Sequence, residues 1–143
     1  MAKPLVSDLL KQASKLKTKA ERVAHLQKNG QYAALRDILR INFDDSIESL
    51  LPEGAPPYKE DEMVDGHNYS NLHKEFRKFK YFFNGPTGRA LNPARRERLF
   101  IELLETIHAN EAEMLVLAKD KKLKYLGITK KLVSDAFPGL IVK

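Results

Sequence analysis

The chain has 143 residues, 43% of them hydrophobic, with 25 lysines and arginines against 19 acids, a net charge of +6 and a pI near 9.5. That length suits one domain, residues 1–143, with a core of its own, and the lack of cysteine excludes disulfides, zinc–thiolate centres and cysteine nucleophiles and fits a reducing cytosol. No apolar run suits a secretion signal or a membrane span.

Ser7 is placed to cap a first short helix over Asp8–Leu16, with Val6, Leu9, Leu10 and Ala13 on one side. Thr18-Lys19-Ala20-Glu21 reads as a capping box, so a second helix begins at Lys19, and Asn29-Gly30 stops it through the left-handed conformation glycine accepts. A third helix follows over about Gln31–Phe43, burying Leu35, Ile38, Leu39 and Asn42. Lys11, Lys15, Lys17, Lys19, Arg22 and Lys28 decorate this third of the chain, as a solvated face or as part of a wider basic surface.

Ser46–Leu51 is expected to form a short helical turn with Ile47, Leu50 and Leu51 inward. Residues 52–67 are expected to be an extended surface loop, because three prolines and a glycine in 52–57 forbid helix and Lys59–His67 is acidic and poor in apolar residues. The charge is segregated here. Between Asp44 and Asp65 eight acids face one lysine, net −7, which leaves +13 on the remainder to reach the total of +6. A helix over Tyr69–Phe83 should follow, since Tyr69, Leu72, Phe76, Phe79 and Phe83 are spaced three, four, three, four. Asn84-Gly85 ends it, and Gly85–Leu91 reads as a loop.

The stretch around which the chain is organised is Asn92–Ala118. Asn92 and Pro93 make a strong helix start, and Leu99, Phe100, Leu103, Leu104 and Ile107 recur at helical spacing. Arg95, Arg96 and Arg98 sit in the first turns, where the helix dipole prefers negative charge. They either reach acids such as Glu97 and Glu102 or face an external anion. Asn110, with Glu113 in capping-box position, is expected to start the next segment, and Met114–Ala118 is a buried helix or a strand. Lys119–Lys124 forms a basic loop, Thr129 caps a last helix over Lys130–Phe137, and Leu140-Ile141-Val142 is an apolar tail.

Few constellations carry chemistry. Gly85-Pro86-Thr87-Gly88-Arg89 lacks the strand and the Gly-Lys-Ser/Thr ending of a phosphate loop. It has the Gly-x-x-Gly spacing of the RNA-clamping loop of KH domains, but no strand pattern supplies that fold's sheet. A plain connection between helices serves as well. Asp61, Asp65 and His67 could ligate a metal, yet calcium-loop spacing is absent and a solvated acidic loop explains them. The four histidines are scattered, without a triad or metalloprotease pattern. No catalytic residue, metal or cofactor is expected. The densest cationic cluster is Lys74, Arg77, Lys78, Lys80, Arg89, Arg95, Arg96 and Arg98, extended by Lys121, Lys122 and Lys124, and these are the candidate contacts to nucleic-acid phosphates.

Leu51-Pro52-Glu53-Gly54-Ala55-Pro56-Pro57-Tyr58, then Arg95–Ile101, Lys119–Lys122, Gly127–Thr129 and Ala136–Leu140 carry a resemblance that spans nearly the whole chain. In these segments it is similar to the small uncharacterised proteins of T4-like tailed phages, grouped as a domain of unknown function. The resemblance implies a phage product in the host bacterial cytoplasm or the virion, and brings no active site. The fold class expected is all-α, a compact bundle of six or seven short helices with one long acidic proline-containing loop. The function expected is a non-enzymatic accessory protein binding nucleic acid through a basic surface. Its rivals are a module engaging a host or phage protein, with Pro56, Pro57 and Tyr58 as the contact, and a minor virion component.

Overall fold

The helix that carries Met114–Ala118 is apolar on nearly every side, and such a helix can only be central. The computed structural model, which describes residues 4–59 and 70–141, places it there. In chain order the described residues form α1 (Val6–Lys15), α2 (Lys19–Lys28), α3 (Ala33–Phe43), α4 (Leu72–Glu75), the 3₁₀ helix η1 (Phe76–Tyr81), α5 (Pro86–Ala90), α6 (Pro93–Thr106), α7 (Ala109–Lys119) and α8 (Lys130–Ala136). The architecture is all-α. Helix α7 touches α1, α3 and α6, while α2 packs on α8. Ala112, Met114, Leu115, Val116 and Ala118 of α7 are buried with Leu10, Leu35, Ile38, Phe100 and Leu104 in one hydrophobic core. Among the described residues no helix is long and apolar enough to cross a membrane.

Two charges lie at the ends of this buried helix, and both hold another segment. Glu111 is fully buried, and its carboxylate accepts from the backbone N–H groups of Val6, at 3.1 Å, and Ser7, at 2.9 Å. It therefore caps α1 from across the molecule, a place the sequence assigned to Ser7. Ser7 lies inside the helix instead, and Leu5 at the N-cap has no side chain able to accept. At the other end Lys119, also buried, donates from Nζ to the Pro52 carbonyl and to Asp120 Oδ1, both at 2.9 Å.

Local signals elsewhere act as expected. Thr18 Oγ1 accepts from Glu21 N, Asn92 Oδ1 from Ala94 N and Thr129 Oγ1 from Leu132 N. Helix α7 starts earlier than expected, capped by His108 Nδ1 on Asn110 N rather than by Asn110. Gly30 is not left-handed. A Cβ there would come within 2.9 Å of the Phe137 ring, so this glycine permits a close approach.

Two expectations need correction. Ser46–Leu51 is not helical. Asp44 Oδ1 accepts from the N–H and the hydroxyl of Ser46, an Asx-type turn that leads the chain out of α3. The chain then runs beside the end of η1 through an isolated antiparallel bridge, Ser49 with Phe83, and a bond from Leu50 N to Phe82 O. The continuous helix over Tyr69–Phe83 is also replaced. Tyr69 lies outside the described residues, α4 lasts one turn, and the chain tightens into η1. With three residues per turn, Phe76, Phe79 and Phe82 stack along one side, and Phe82 reaches full burial, edge-on to Phe100 with ring centroids 5.2 Å apart. The three–four seam left Phe82 out.

Candidate nucleic-acid interface

Arg96 organises the corner where η1, α5 and α6 meet. It projects inward from the first turns of α6 and is nearly buried. Its Nε donates to the Tyr81 carbonyl at 3.2 Å, and its Nη2 to the carbonyls of Gly88, at 2.6 Å, and Leu91, at 3.0 Å. These carbonyls end η1, lie within α5 and precede α6. Short elements leave such acceptors short of helical partners, and one guanidinium gives charge-assisted bonds to all three, the Gly88 carbonyl also accepting from Leu91 N. The corner also depends on Gly88, where a Cβ would sit 2.1 Å from the Phe83 carbonyl oxygen. The Gly-x-x-Gly spacing is thus explained by close packing: Pro86–Ala90 forms the one-turn helix α5, and an isolated bridge is the only β pairing among the described residues.

The clamp turns the other cations outward. Lys74, Arg77, Lys78, Lys80, Arg89, Arg95 and Arg98 are all exposed. Lys78 pairs with Glu75 at 2.8 Å. Burial raises the Glu75 carboxyl, but hydrogen bonds from Lys78 and Ser70 and the nearby Lys74 charge outweigh it and hold the group below its ordinary range. Arg77 lies over the Phe76 ring and Lys80 over Tyr81, at 5.9 and 5.5 Å from the ring centres. No carboxylate among the described residues pairs with Lys74, Arg77, Lys80, Arg89, Arg95 or Arg98, so of the two readings of Arg95 and Arg98 the reach to Glu97 or Glu102 is not the one seen. Arg95 and Arg98 stand at the positive end of α6, whose first turn holds no acid.

In the expected extension through Lys121, Lys122 and Lys124, the first two lysines are engaged by other parts of the chain. Helix α7 ends in a Schellman turn, Lys121 N to Ala118 O and Lys122 N to Leu117 O, with Lys121 left-handed at φ 60°. Lys121 Nζ donates to the carbonyls of Ile41 and Asp44, both at 2.7 Å. Lys122 pairs with Glu53 at 2.7 Å, Lys130 with Asp45 at 3.4 Å, and Asp120 Oδ2 accepts from Gly54 N. The acidic segment after α3 is therefore strapped across the turn after α7. Lys124 lies apart, at a cleft of about 270 Å³ beside Asp8, Lys11 and Tyr125. There burial, then the carboxylates Glu111, Glu113 and Asp8, push the Tyr125 hydroxyl up to about 12.

Of the eleven cations singled out in the sequence, five are exposed without a described carboxylate partner on η1, α5 and α6 and a sixth, Lys74, on α4; Lys78 and Lys122 are in ion pairs, Arg96 and Lys121 hold backbone, and Lys124 lines another cleft. Pro56 and Pro57 line a different cleft, about 370 Å³, with Phe100 and Ile101 of α6, and Tyr58 is half-buried against the core. Asp61, Asp65 and His67 lie outside the described residues. Among the described residues no group of three His, Asp or Glu side chains could hold a metal. Glu111 and Lys119 were missed because the backbone groups they hold, at Val6, Ser7 and Pro52, are far away in sequence.

Fold and corner together define an all-helical protein with a clamped, outwardly cationic edge. The chain belongs to the family of unknown function DUF6433, whose model matches residues 9–125. That span includes the strap, α6 and the turn after α7, and leaves out α8. No curated protein matches the chain.

Proposed function

We propose that this protein is a non-enzymatic accessory protein that contacts nucleic acid through the η1–α5–α6 corner. One observation carries the reading: Arg77, Lys80, Arg89, Arg95 and Arg98 are exposed and unpaired with any described carboxylate, on elements that Arg96 and Gly88 lock together, and Lys74, also exposed and unpaired with a described carboxylate, stands on the preceding α4. Phosphate binding needs cations held at fixed separations, and it acts through counterion release, so it falls steeply with salt. The outer face of α6 turns acidic at Glu102 and Glu105, which bounds the cationic area on that side. Resemblance of the quoted segments to proteins of T4-like tailed phages supports a phage origin, with action in the host bacterial cytoplasm or carriage in the virion. Anisotropy titration with labelled DNA and RNA at low and moderate salt tests the reading. Binding that weakens about a thousandfold between 50 and 200 mM salt is expected if all six cations engage phosphate. No binding at low salt would remove it.

The second reading is a protein-binding module, favoured by the cleft that Pro56 and Pro57 form with Phe100 and Ile101. Partners retained in a pull-down after nuclease treatment would support it. Mass spectrometry of purified particles tests the virion placement.

A further inference from the structure

A cleft of about 350 Å³ opens beside the cationic corner, between α3, η1 and the start of α5. Ile41, Ile47, Phe79 and Phe83 supply its apolar wall, and Arg40 and Lys80 stand at it from opposite elements. Phe79 and Phe83 belong to the hydrophobic core, at 5% and 8% exposed, and the cleft opens onto them. The geometry follows from the 3₁₀ turn, which sends Phe79 inward and its neighbour Lys80 outward, and from Gly88, which lets α5 close against the η1 carbonyls. Besides the two cations its polar groups are Asp37, 3.9 Å from Arg40, the Thr87 hydroxyl, and the Asn84 amide, which is engaged with Glu48 N and the Ser46 carbonyl. An apolar recess with a few convergent polar groups is the ordinary form of a small-ligand site, and its size fits a single nucleotide.

We propose that this cleft takes the base of an unpaired nucleotide, with the adjoining phosphate on Lys80 and Arg40, so that the protein binds single-stranded nucleic acid in preference to duplex. The inference rests on the nucleic-acid reading above and narrows it to a substrate class. Lys80 belongs to both the cleft and the corner, so a strand lying along the corner passes the mouth of the recess. Bases in a duplex are stacked and paired and cannot enter, whereas an unpaired base presents an apolar face to the aromatic wall and polar edges to Asp37 and Thr87.

Anisotropy titrations of the full chain with three labelled probes of equal length test this: a single strand, the same strand with abasic sites throughout, and a duplex. The single strand is expected to bind about tenfold more tightly than either of the others, the contribution of one stacked base. Thr87→Trp, at an exposed position of α5, fills the mouth without altering charge and should bring the single strand down to the abasic level. Equal affinity for all three probes, or tighter binding of the duplex, overturns the cleft proposal and leaves the cationic corner standing. Failure of every probe to bind removes both. The comparison of probes uses the unaltered protein, so its outcome does not depend on the folding of the tryptophan variant.

Discussion

The corner built by η1, α5 and α6 and the turn between α7 and α8 are both dense in lysine and arginine, and they use them differently. At the corner one cation, Arg96, goes inward to three carbonyls and its neighbours stay in solvent. At the turn Lys119 and Lys121 go to the carbonyls of Pro52, Ile41 and Asp44, and Lys122 and Lys130 meet Glu53 and Asp45. The difference lies in what each region packs against. The turn receives the irregular acidic strap, which brings carbonyls and carboxylates to its lysines. The corner is stitched from short helices and supplies only three carbonyls, which one guanidinium satisfies. In these two regions the cations that stay in solvent are those with no backbone acceptor brought against them.

Breaking each region should separate these roles. Arg96→Met removes three charge-assisted bonds and strands the Tyr81 and Leu91 carbonyls, and is expected to cost about 4 kcal/mol in chemical denaturation. Gly88→Ala, which forces a methyl onto the Phe83 carbonyl, should cost about 3 kcal/mol by the same measurement. Lys121→Met, which abandons two carbonyls, should cost about 2 kcal/mol. Arg95→Ala, one residue from Arg96, should change stability by no more than about 0.5 kcal/mol, and Lys122→Ala should leave the denaturation curve in place. A large loss on Arg95→Ala would contradict the division between inward and outward cations.

The buried cap offers a pH test of the core that anchors both regions. Burial raises the Glu111 carboxyl above its ordinary value of 4.5, outweighing the backbone N–H groups of Ser7 and Val6 that lower it. A raised folded pKa means the native state holds its proton more tightly, so the ionisation penalty is absent below the unfolded value and grows as pH rises through the folded one. Denaturation of wild type and Glu111→Gln at stepped pH should show the difference moving in favour of the glutamine variant as pH climbs past 4.5. A constant difference would mean that Glu111 does not titrate differently on folding.

What the sequence disclosed follows the reach of each interaction. Thr18, Asn92 and Thr129 were legible as caps because donor and acceptor lie within three residues. Glu111 caps a helix 105 residues away, and Lys121 bonds a carbonyl 80 residues away, so no local pattern marks either. Lys121 also holds a left-handed position where glycine is the expected residue. The aromatic run of η1 was read at helical period, whereas the fold tightens it to three per turn and selects Phe82. For the site, density of charge pointed to the right helices but could not separate Arg96 from Arg95 and Arg98, because inward and outward positions on α6 differ by one step of the helix.

The most direct test is the salt dependence of oligonucleotide binding for two double variants, Arg95→Ala with Arg98→Ala and Lys121→Ala with Lys122→Ala. Loss of two phosphate contacts should lower the slope of log K against log salt by about 1.8 for the first pair and leave it unchanged for the second wherever the protein remains folded. An equal change in both, or a change only in the second, would contradict the claim that the corner of η1, α5 and α6 is the surface that meets nucleic acid.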